Sequence, residues 1–580
     1  MAFCFNRHPP RLRRVTYWQP LLLSAQLKFQ SKTRHFAAMA AAQTLHETDI
    51  FDYTSGRWLY NEKRRLDERH LAFNVGALLE AAAKSVKKPK DEVKSFRKLA
   101  EGGFNRVFEL TMRDGFQVIA RLPYSSTQPK FLATASEVAT MDLVRRHGVP
   151  TPVVYGHSSD AQNSVGSEYI IMEKVPGRCL GNIWHKLSDK ERVKILGEIV
   201  DQEAKLFNIT LPAYGSVYNT ADLPRDYGRV KLEAEAGRFC VGPDVSLKYW
   251  FGTRSQLEVS RSPATTPEQL LQDGASKEIA WLQAYGKPRM PFDREYREMF
   301  GYEKVDPREH VSSLEKFLKI AAYTVPTEDW LCKPTIRHPD LNPNNIFVDD
   351  DRNITGIIDW QHASVLPLFL HAGIPSSLQN YGDLDSEELK KPEYPPNLDE
   401  LDEDDRQKDI ELYRRRHTHF YYVGATITKL NSHYKALSHD KGLLRKKLYQ
   451  HTVEPWEGNS IPLKADLVQL VKGWSELTSR GLDSDQRVAV PCPISFEERD
   501  AEAIMDKMLE QEDIGKKMEI LREIIGVSSD GWVSIERYDG AVAEANEMKA
   551  KALSYAESDL EREMTEHNWP FDDFDEDGTS

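Results

Sequence analysis

Three polar side chains in one short stretch carry the most chemistry in this 580-residue chain. Residues 337–360 read RHPDLNPNNIFVDDDRNITGIIDW. Asn345 follows Asp340 by five positions, and Asp359 closes the second of two strand-like runs, IFV (346–348) and ITGIID (354–359). Carboxylate and amide oxygens suit Mg²⁺, a hard cation that prefers oxygen and keeps part of its water. A carboxylate on a turn can also orient the proton of a hydroxyl group. Taken singly, Asp340 and Asn345 are turn caps and Asp359 is a strand-end cap. An Asp-x4-Asn pair followed by a hairpin and Ile-Ile-Asp-Trp is much harder to reach by chance. The run Asp349–Asp351 is the most acidic part, yet it reads as the solvated tip of the hairpin.

Other segments hold groups that would handle phosphate. EGGFNRVF (101–108) offers Gly102 and Gly103, which let a backbone approach phosphates closely, with Phe104 and Asn105 completing the loop. Two glycines at a hairpin turn are also common as plain structure. VIARLP (118–123) ends a strand-like run with Arg121, whose planar fork matches phosphate oxygens. Glu137, on the helix-like run that follows, is the expected ion-pair partner; the plainer alternative is a surface salt bridge of little energetic value. EYIIMEKVPG (168–177) resembles the hinge between the lobes of a kinase, which implies that its backbone around Glu173–Val175 bonds a base edge. Arg414–Arg416, His417 and His419 read as a solvated helical face.

The elements that must position these groups follow from periodicity. Residues 93–122 give three strand-like runs; the second and third are joined by Asp114-Gly115, a hairpin signal. TASEVATMDLVRRHG predicts a helix with Val138, Met141 and Val144 inward and Gly148 at its end. VVYGH and EYIIMEK predict two more strands, so the order is β-β-β-α-β-β. Beyond Pro176-Gly177 the pattern turns helical. Ser188 to Glu191 forms a capping box, and further helices are predicted near 266–285, 309–323, 404–434, 463–479 and 495–526. The strand-like pieces expected in this half are IFV and ITGIID alone. The fold class is α+β and bilobal: a small antiparallel β lobe with one helix, then a larger, mostly helical lobe, the plan of a protein kinase.

The motif RHPDLNPNNIFVDD…GIIDWQ resembles the H-G-D-x-H-x-x-N … I-D-[WF] signature of the aminoglycoside phosphotransferase and choline kinase superfamily. More narrowly, YTSGRWL (53–59), GGFNRVF (102–108), ARLP (120–123), SEVATM (136–141), GSEYIIME (166–173) and IIDWQHASVLPLF (357–369) resemble the fungal mitochondrial group named altered inheritance of mitochondria protein 9. The resemblance covers most of residues 47–530. It implies ATP and Mg²⁺ as cofactors and a small hydroxyl-bearing acceptor. It makes Asp340 the catalytic base, Asn345 and Asp359 the metal ligands, and Gly102, Gly103, Phe104, Asn105, Arg121, Glu137, Glu173 and Val175 the nucleotide site. His338 would pack beneath the metal site. The chain departs from the pattern at Pro339, where Gly is usual, at Asn342, where many members have His, and at Arg121, where Lys is expected and choline-kinase-like members also show Arg. The alternative is a nucleotide-binding pseudokinase that works through mitochondrial partners. A protein kinase fits less well, because no DFG or APE segment follows Asp359.

Composition sets the outer bounds. With 40% hydrophobic residues the chain can bury a large core, and no run reaches the ~18 apolar residues of a membrane span. Five scattered cysteines form no zinc spacing. Residues 1–46 hold seven Lys and Arg and no acid, which predicts a mitochondrial transit peptide. A net charge of −13, more negative once that segment is removed, argues against nucleic acid. The expected organisation is transit peptide 1–46, N-terminal extension 47–92, nucleotide-binding lobe 93–176, catalytic lobe 177–535 and a charged acidic tail 536–580 that ends solvated and disordered.

Overall fold

Side-chain alternation builds the smaller lobe. Along Gln117–Pro123, Val118, Ala120 and Leu122 point to one face and are fully buried against Phe108, Leu110 and Met112 of the neighbouring strand. The computed structural model describes residues 50–478 and 490–577. Its antiparallel five-stranded sheet has the order Val93–Glu101, Asn105–Met112, Gln117–Pro123, Tyr169–Glu173, Val154–Ser158. Gly115 takes φ +86 at the predicted hairpin turn. The single helix of this lobe, Leu132–Arg146, ends before Gly148 at φ +82. Ile171 faces the core behind the sheet, whereas Met172 packs toward the larger lobe.

The chain between the lobes is fixed to the hairpin that carries Asp359. Gly177 has φ +97, and a Cβ there would run into the Val348 carbonyl. Thr355 Oγ1 donates to the Pro176 carbonyl at 2.6 Å. Arg178–Cys179 then pairs with Ile346–Val348, which pairs in turn with Ile354–Ile357. The Ile357 N–H donates to Pro150 O of the small lobe at 2.8 Å.

The larger lobe is mostly helical. Asp189–Phe207 opens with the Ser188–Glu191 capping box and buries Ile195, Leu196, Ile199 and Val200. Pro267–Tyr285, Pro307–Thr324, Glu403–Lys429, Ile461–Lys472 and Glu498–Ile525 match the predicted helices. The helix predicted over 404–434 breaks at Leu430, before a short helix Asn431–Leu437; that predicted over 463–479 breaks at Gly473, and residue 479 lies outside the described residues.

Three expectations need correction. This half holds more strands than IFV and ITGIID. Ser216–Asn219, Phe239–Gly242 and Val230–Lys231 form an antiparallel sheet, and Pro334–Ile336 pairs with Val365–Pro367. Strands of two to four residues leave no period to read, and distant pairing stabilises them. His417 and His419 do not lie on a solvated face; both are buried, His417 beside Asp189 at the start of the Asp189–Phe207 helix and His419 against Asn380, whose N–H donates to its Nδ1 at 3.1 Å, and Tyr381. Neighbouring Arg416 pairs with Asp383 at 2.7 Å.

The charged C-terminal segment is folded through residue 577. Helices Tyr538–Tyr555 and Asp559–His567 lead to Trp569 and Phe571, which pack on Met518, Leu521 and Ile525. Its acids have partners in the N-terminal extension: Glu576 meets Arg65 at 2.5 Å and Asp577 meets Arg64 at 3.0 Å. Two apolar anchors and paired charges outweigh the acidic composition. The extension also pairs Gly56–Trp58 with Trp532–Ser534 and adds Leu71, Leu78 and Ala82 to the small-lobe core. The predicted transit peptide and residues 578–580 lie outside the described residues. Among the described residues no helix is long and apolar enough to cross a membrane.

Two predictions follow from this packing. A Cβ on Gly56 collides with the Trp532 ring and the Val533 carbonyl. Gly56→Ala therefore lowers stability by about 1–3 kcal/mol, read as a lower urea midpoint. Burial holds the His310 imidazole down at about 4 and that of His371 at about 3, while both titrate near 6.5 when unfolded. The unfolded chain then binds more protons below pH ~6.5, so stability is full above that pH and falls as the pH drops. Thermal unfolding between about pH 7 and pH 5 shows a falling Tm, and His310→Gln flattens the slope.

Candidate active site

Arg121 reaches the site because of strand alternation. It sits on the face of Gln117–Pro123 opposite the core residues, across from Val107 and Ile170. Helix Leu132–Arg146 brings Glu137 to it, and the two pair directly; both are buried. The same guanidinium donates to Asp359 Oδ1 at 2.6 Å and to Gln361 Oε1 at 3.0 Å. Burial pushes the Arg121 pKa down and the Asp359 carboxylate pulls it back up. A buried guanidinium stays charged, so it requires this ring of acceptors.

Asp340 and Asn345 are set by a capped turn. Asn342 Oδ1 accepts from Asn344 N at 2.8 Å and opens the 3₁₀ turn Pro343–Asn345. Asn342 Nδ2 donates to Asp340 Oδ2 at 2.8 Å, so the residue that replaces the pattern's His holds the carboxylate. Asn345 Nδ2 donates to Asp340 O at 2.8 Å. Its own carbonyl accepts from Ile358 N at 2.9 Å, which places Asn345 across the hairpin from the residue before Asp359. Pro339 and Asp340 are exposed, so the Pro substitution removes no buried donor.

His338 joins the two loops. Its Nδ1 accepts from Asp340 N at 3.1 Å, and its Nε2 lies 2.8 Å from Ile358 O. An acceptor at Nδ1 makes Nε2 the donor, which is the neutral tautomer. Burial pushes its pKa down, in the same sense. The ring packs edge-on to fully buried Trp360, with centroids 4.6 Å apart. Asp359 itself has φ +66 and His362 φ +62, left-handed conformations that concentrate at functional sites.

The glycine loop is latched to the same segment. Asn105 Nδ2 donates to Gln361 Oε1 at 2.7 Å. Phe104 is exposed and stands edge-on to His362 at 5.3 Å. A Cβ on Gly103 would meet nothing within 4 Å, so that surface is open to a ligand. Glu101, just before the loop, accepts from Thr54 N at 2.8 Å and Ser55 Oγ at 2.7 Å, which ties the loop to the extension. At the hinge the Glu173 carboxylate accepts from Val153 N at 3.0 Å. The Val175 N–H makes no hydrogen bond among the described residues.

The structure thus brings Asn105, Arg121, Glu137, Asp340, Asn345 and Asp359 together at the lobe junction, with Gly102, Gly103 and Phe104 on the loop above and Glu173 and Val175 at the hinge. Sequence reasoning missed Gln361, which bridges Asn105 and Arg121. Its only signal was its place directly after the Ile-Ile-Asp-Trp motif.

The family model described as the phosphotransferase enzyme family matches residues 95–369, a span that holds every one of these residues. A subtelomeric hrmA-associated cluster protein of Aspergillus fumigatus is 30% identical over 82% of this chain and 96% of its own length. The chain belongs to the phosphotransferase enzyme family. A Candida tropicalis relative, altered inheritance of mitochondria protein 9, mitochondrial, is 24% identical over 70% of this chain and 73% of its own. Among solved structures, a gentamicin complex of APH(2'')-IIa is 12% identical with a TM-score of 0.32, covering 76% of this chain and 97% of that one.

The ring around Arg121 makes a graded prediction for this family member. Glu137→Ala removes its buried partner and lowers unfolding free energy by about 3 kcal/mol. Asp359→Ala removes a half-exposed partner and lowers it less. Urea titration of both variants orders the two effects.

Proposed function

We propose that this protein is an ATP- and Mg²⁺-dependent phosphotransferase with a small hydroxyl-bearing acceptor. The observation that carries the reading is the junction of Arg121, Asp340, Asn345 and Asp359, held by His338 and Gln361. The donor set fits a hard cation. Asn345 Oδ1 and Asp359 Oδ2 make no hydrogen bond among the described residues, and both are oxygen ligands of the kind Mg²⁺ prefers. A metal held there supplies positive charge to phosphate oxygens.

The chain's own residues do the rest. Arg121 presents its fork to the phosphates, with Glu137 fixing its orientation. Backbone at Gly102–Asn105 covers them, and the free Val175 N–H is available to a base edge. Asp340, steadied by Asn342 and by its own N–H on His338, accepts the acceptor's hydroxyl hydrogen bond and aligns the oxygen. Catalysis of this kind is mostly positioning and charge neutralisation.

A second reading, a nucleotide-binding pseudokinase, draws on one observation: Arg121 holds an oxygen of Asp359. Turnover separates the two. Mitochondrial residence is proposed from the names of the relatives and the basic N-terminal segment. A full-length fusion that stays outside mitochondria contradicts that placement, and one lacking residues 1–46 that still reaches them contradicts the transit role of that segment.

The expected outcome is a rise in Tm when ATP and Mg²⁺ are added together. Ligand at 100 times its Kd stabilises by about 2.7 kcal/mol. Asp359→Ala loses the Mg²⁺-dependent part. Asp340→Ala keeps the Tm rise but loses ATP turnover by about 100-fold or more. No Tm response in the wild type, across nucleotides, rejects the reading.

A further inference from the structure

A cavity of about 240 Å³ lies in the larger lobe, between the segment 244–264, which follows the strand Phe239–Gly242, and the helix Pro267–Tyr285. None of its lining residues belongs to the phosphate or metal machinery. Tyr249 and Trp250 form part of its wall, and Tyr214, Ala264 and Leu270 lie buried at its base. Ser260, Ser262 and Ser276 are exposed at its rim.

Two features say what it takes. Asp244 lines the cavity with one oxygen committed and one free. Its Oδ1 accepts from Ser364 Oγ at 2.8 Å and Ser246 N at 2.7 Å. Its Oδ2 is buried and has no hydrogen-bond partner. A buried acceptor left unpaired is destabilising by about 1–3 kcal/mol, so the fold keeps a group there that a donor would satisfy. The second feature is charge balance. The lining carries two carboxylates, Asp244 and Asp273, and two cations, Arg261 and Lys277. Lys277 donates to the carbonyls of Lys248 and Val453 and lies 2.9 Å from Glu278 Oε2. Arg261 stacks on Trp250 at 3.8 Å and donates to the Tyr249 and Arg254 carbonyls. Lys248, close to Asp244, offsets its charge further. A site with balanced charge, rim hydroxyls, a free acceptor and aromatic wall suits an uncharged ligand rich in O–H donors.

We infer that this cavity binds a neutral polyhydroxylated small molecule of about monosaccharide size, with Asp244 Oδ2 accepting one of its hydroxyls. The site shares a wall with the metal-binding segment. Gly215 and Val365 exchange backbone hydrogen bonds at 3.0 and 2.6 Å, and Ser216 Oγ donates to Ala363 O at 2.9 Å. The chain from Asp359 to Ser364 therefore has the proposed phosphate site at one end and this cavity at the other. The inference does not depend on phosphotransfer.

The test is saturation-transfer NMR on the full chain without nucleotide, so its result is independent of whether Asp359 holds a metal. The probes are myo-inositol, ribose, glucose and glycerol, with glucosamine and gluconate as charged counterparts of glucose. At least one neutral probe is expected to bind, glucose no more weakly than its charged counterparts. Asp244→Asn puts an amide where an acceptor is needed and weakens binding by about tenfold or more. Ser276→Trp blocks the exposed rim without touching the core and gives the same loss, which keeps the test decisive if Asp244→Asn does not fold. Absence of binding by every neutral probe at about 10 mM, a preference for glucosamine or gluconate over glucose, or unchanged binding in a folded variant overturns the inference.

Discussion

A guanidinium buried between two lobes constrains everything near it. Arg121 cannot lose its charge, so its surroundings must supply acceptors from several directions. They come from the small-lobe helix through Glu137 and from the large-lobe hairpin through Asp359 and Gln361. The lobe interface is thereby held by the same groups proposed to meet the nucleotide. Gln361 extends the arrangement to Asn105, so the glycine loop, the cation and the Asp359 segment form one hydrogen-bonded unit.

Two further constraints keep that unit in register. His338 works from below, donating to Ile358 O and accepting from Asp340 N, so the loop of the acceptor carboxylate and the segment of Asp359 move together. The N-terminal extension works from above. It grips Glu101 beside the glycine loop, then pairs Gly56–Trp58 with Trp532–Ser534. Sequence-distant ends of the chain thus brace the loop, which explains why the C-terminal segment is packed rather than free.

Much of this was legible in the sequence. Alternation gave the small sheet, the capping box gave the start of Asp189–Phe207, and the Asp340, Asn345 and Asp359 spacing pointed to the junction. The pairing of Arg121 with Glu137 followed from the family resemblance, which both positions match. What stayed hidden has a common cause. The two-to-four-residue strands near Ser216 and Phe239 are shorter than any readable period. Trp569 and Phe571 sit inside an acidic run whose composition suggests solvent, and their burial depends on partners near residue 520. His417 and His419 follow three arginines, so local charge masked the burial of both. Gln361 looks like any polar residue until the fold brings Asn105 and Arg121 to its amide. Long-range contacts leave no local signature.

The central claim is that the Arg121 fork is the phosphate ligand and that its ring of acceptors keeps it poised for that role. Calorimetric titration of ATP and adenosine against the wild type and Arg121→Lys, both checked for folding, tests this most directly. Lys keeps the charge but loses the planar fork, so ATP affinity falls by about tenfold while adenosine affinity is unchanged. Equal ATP affinity in the two proteins, or an equal loss for adenosine, contradicts the account.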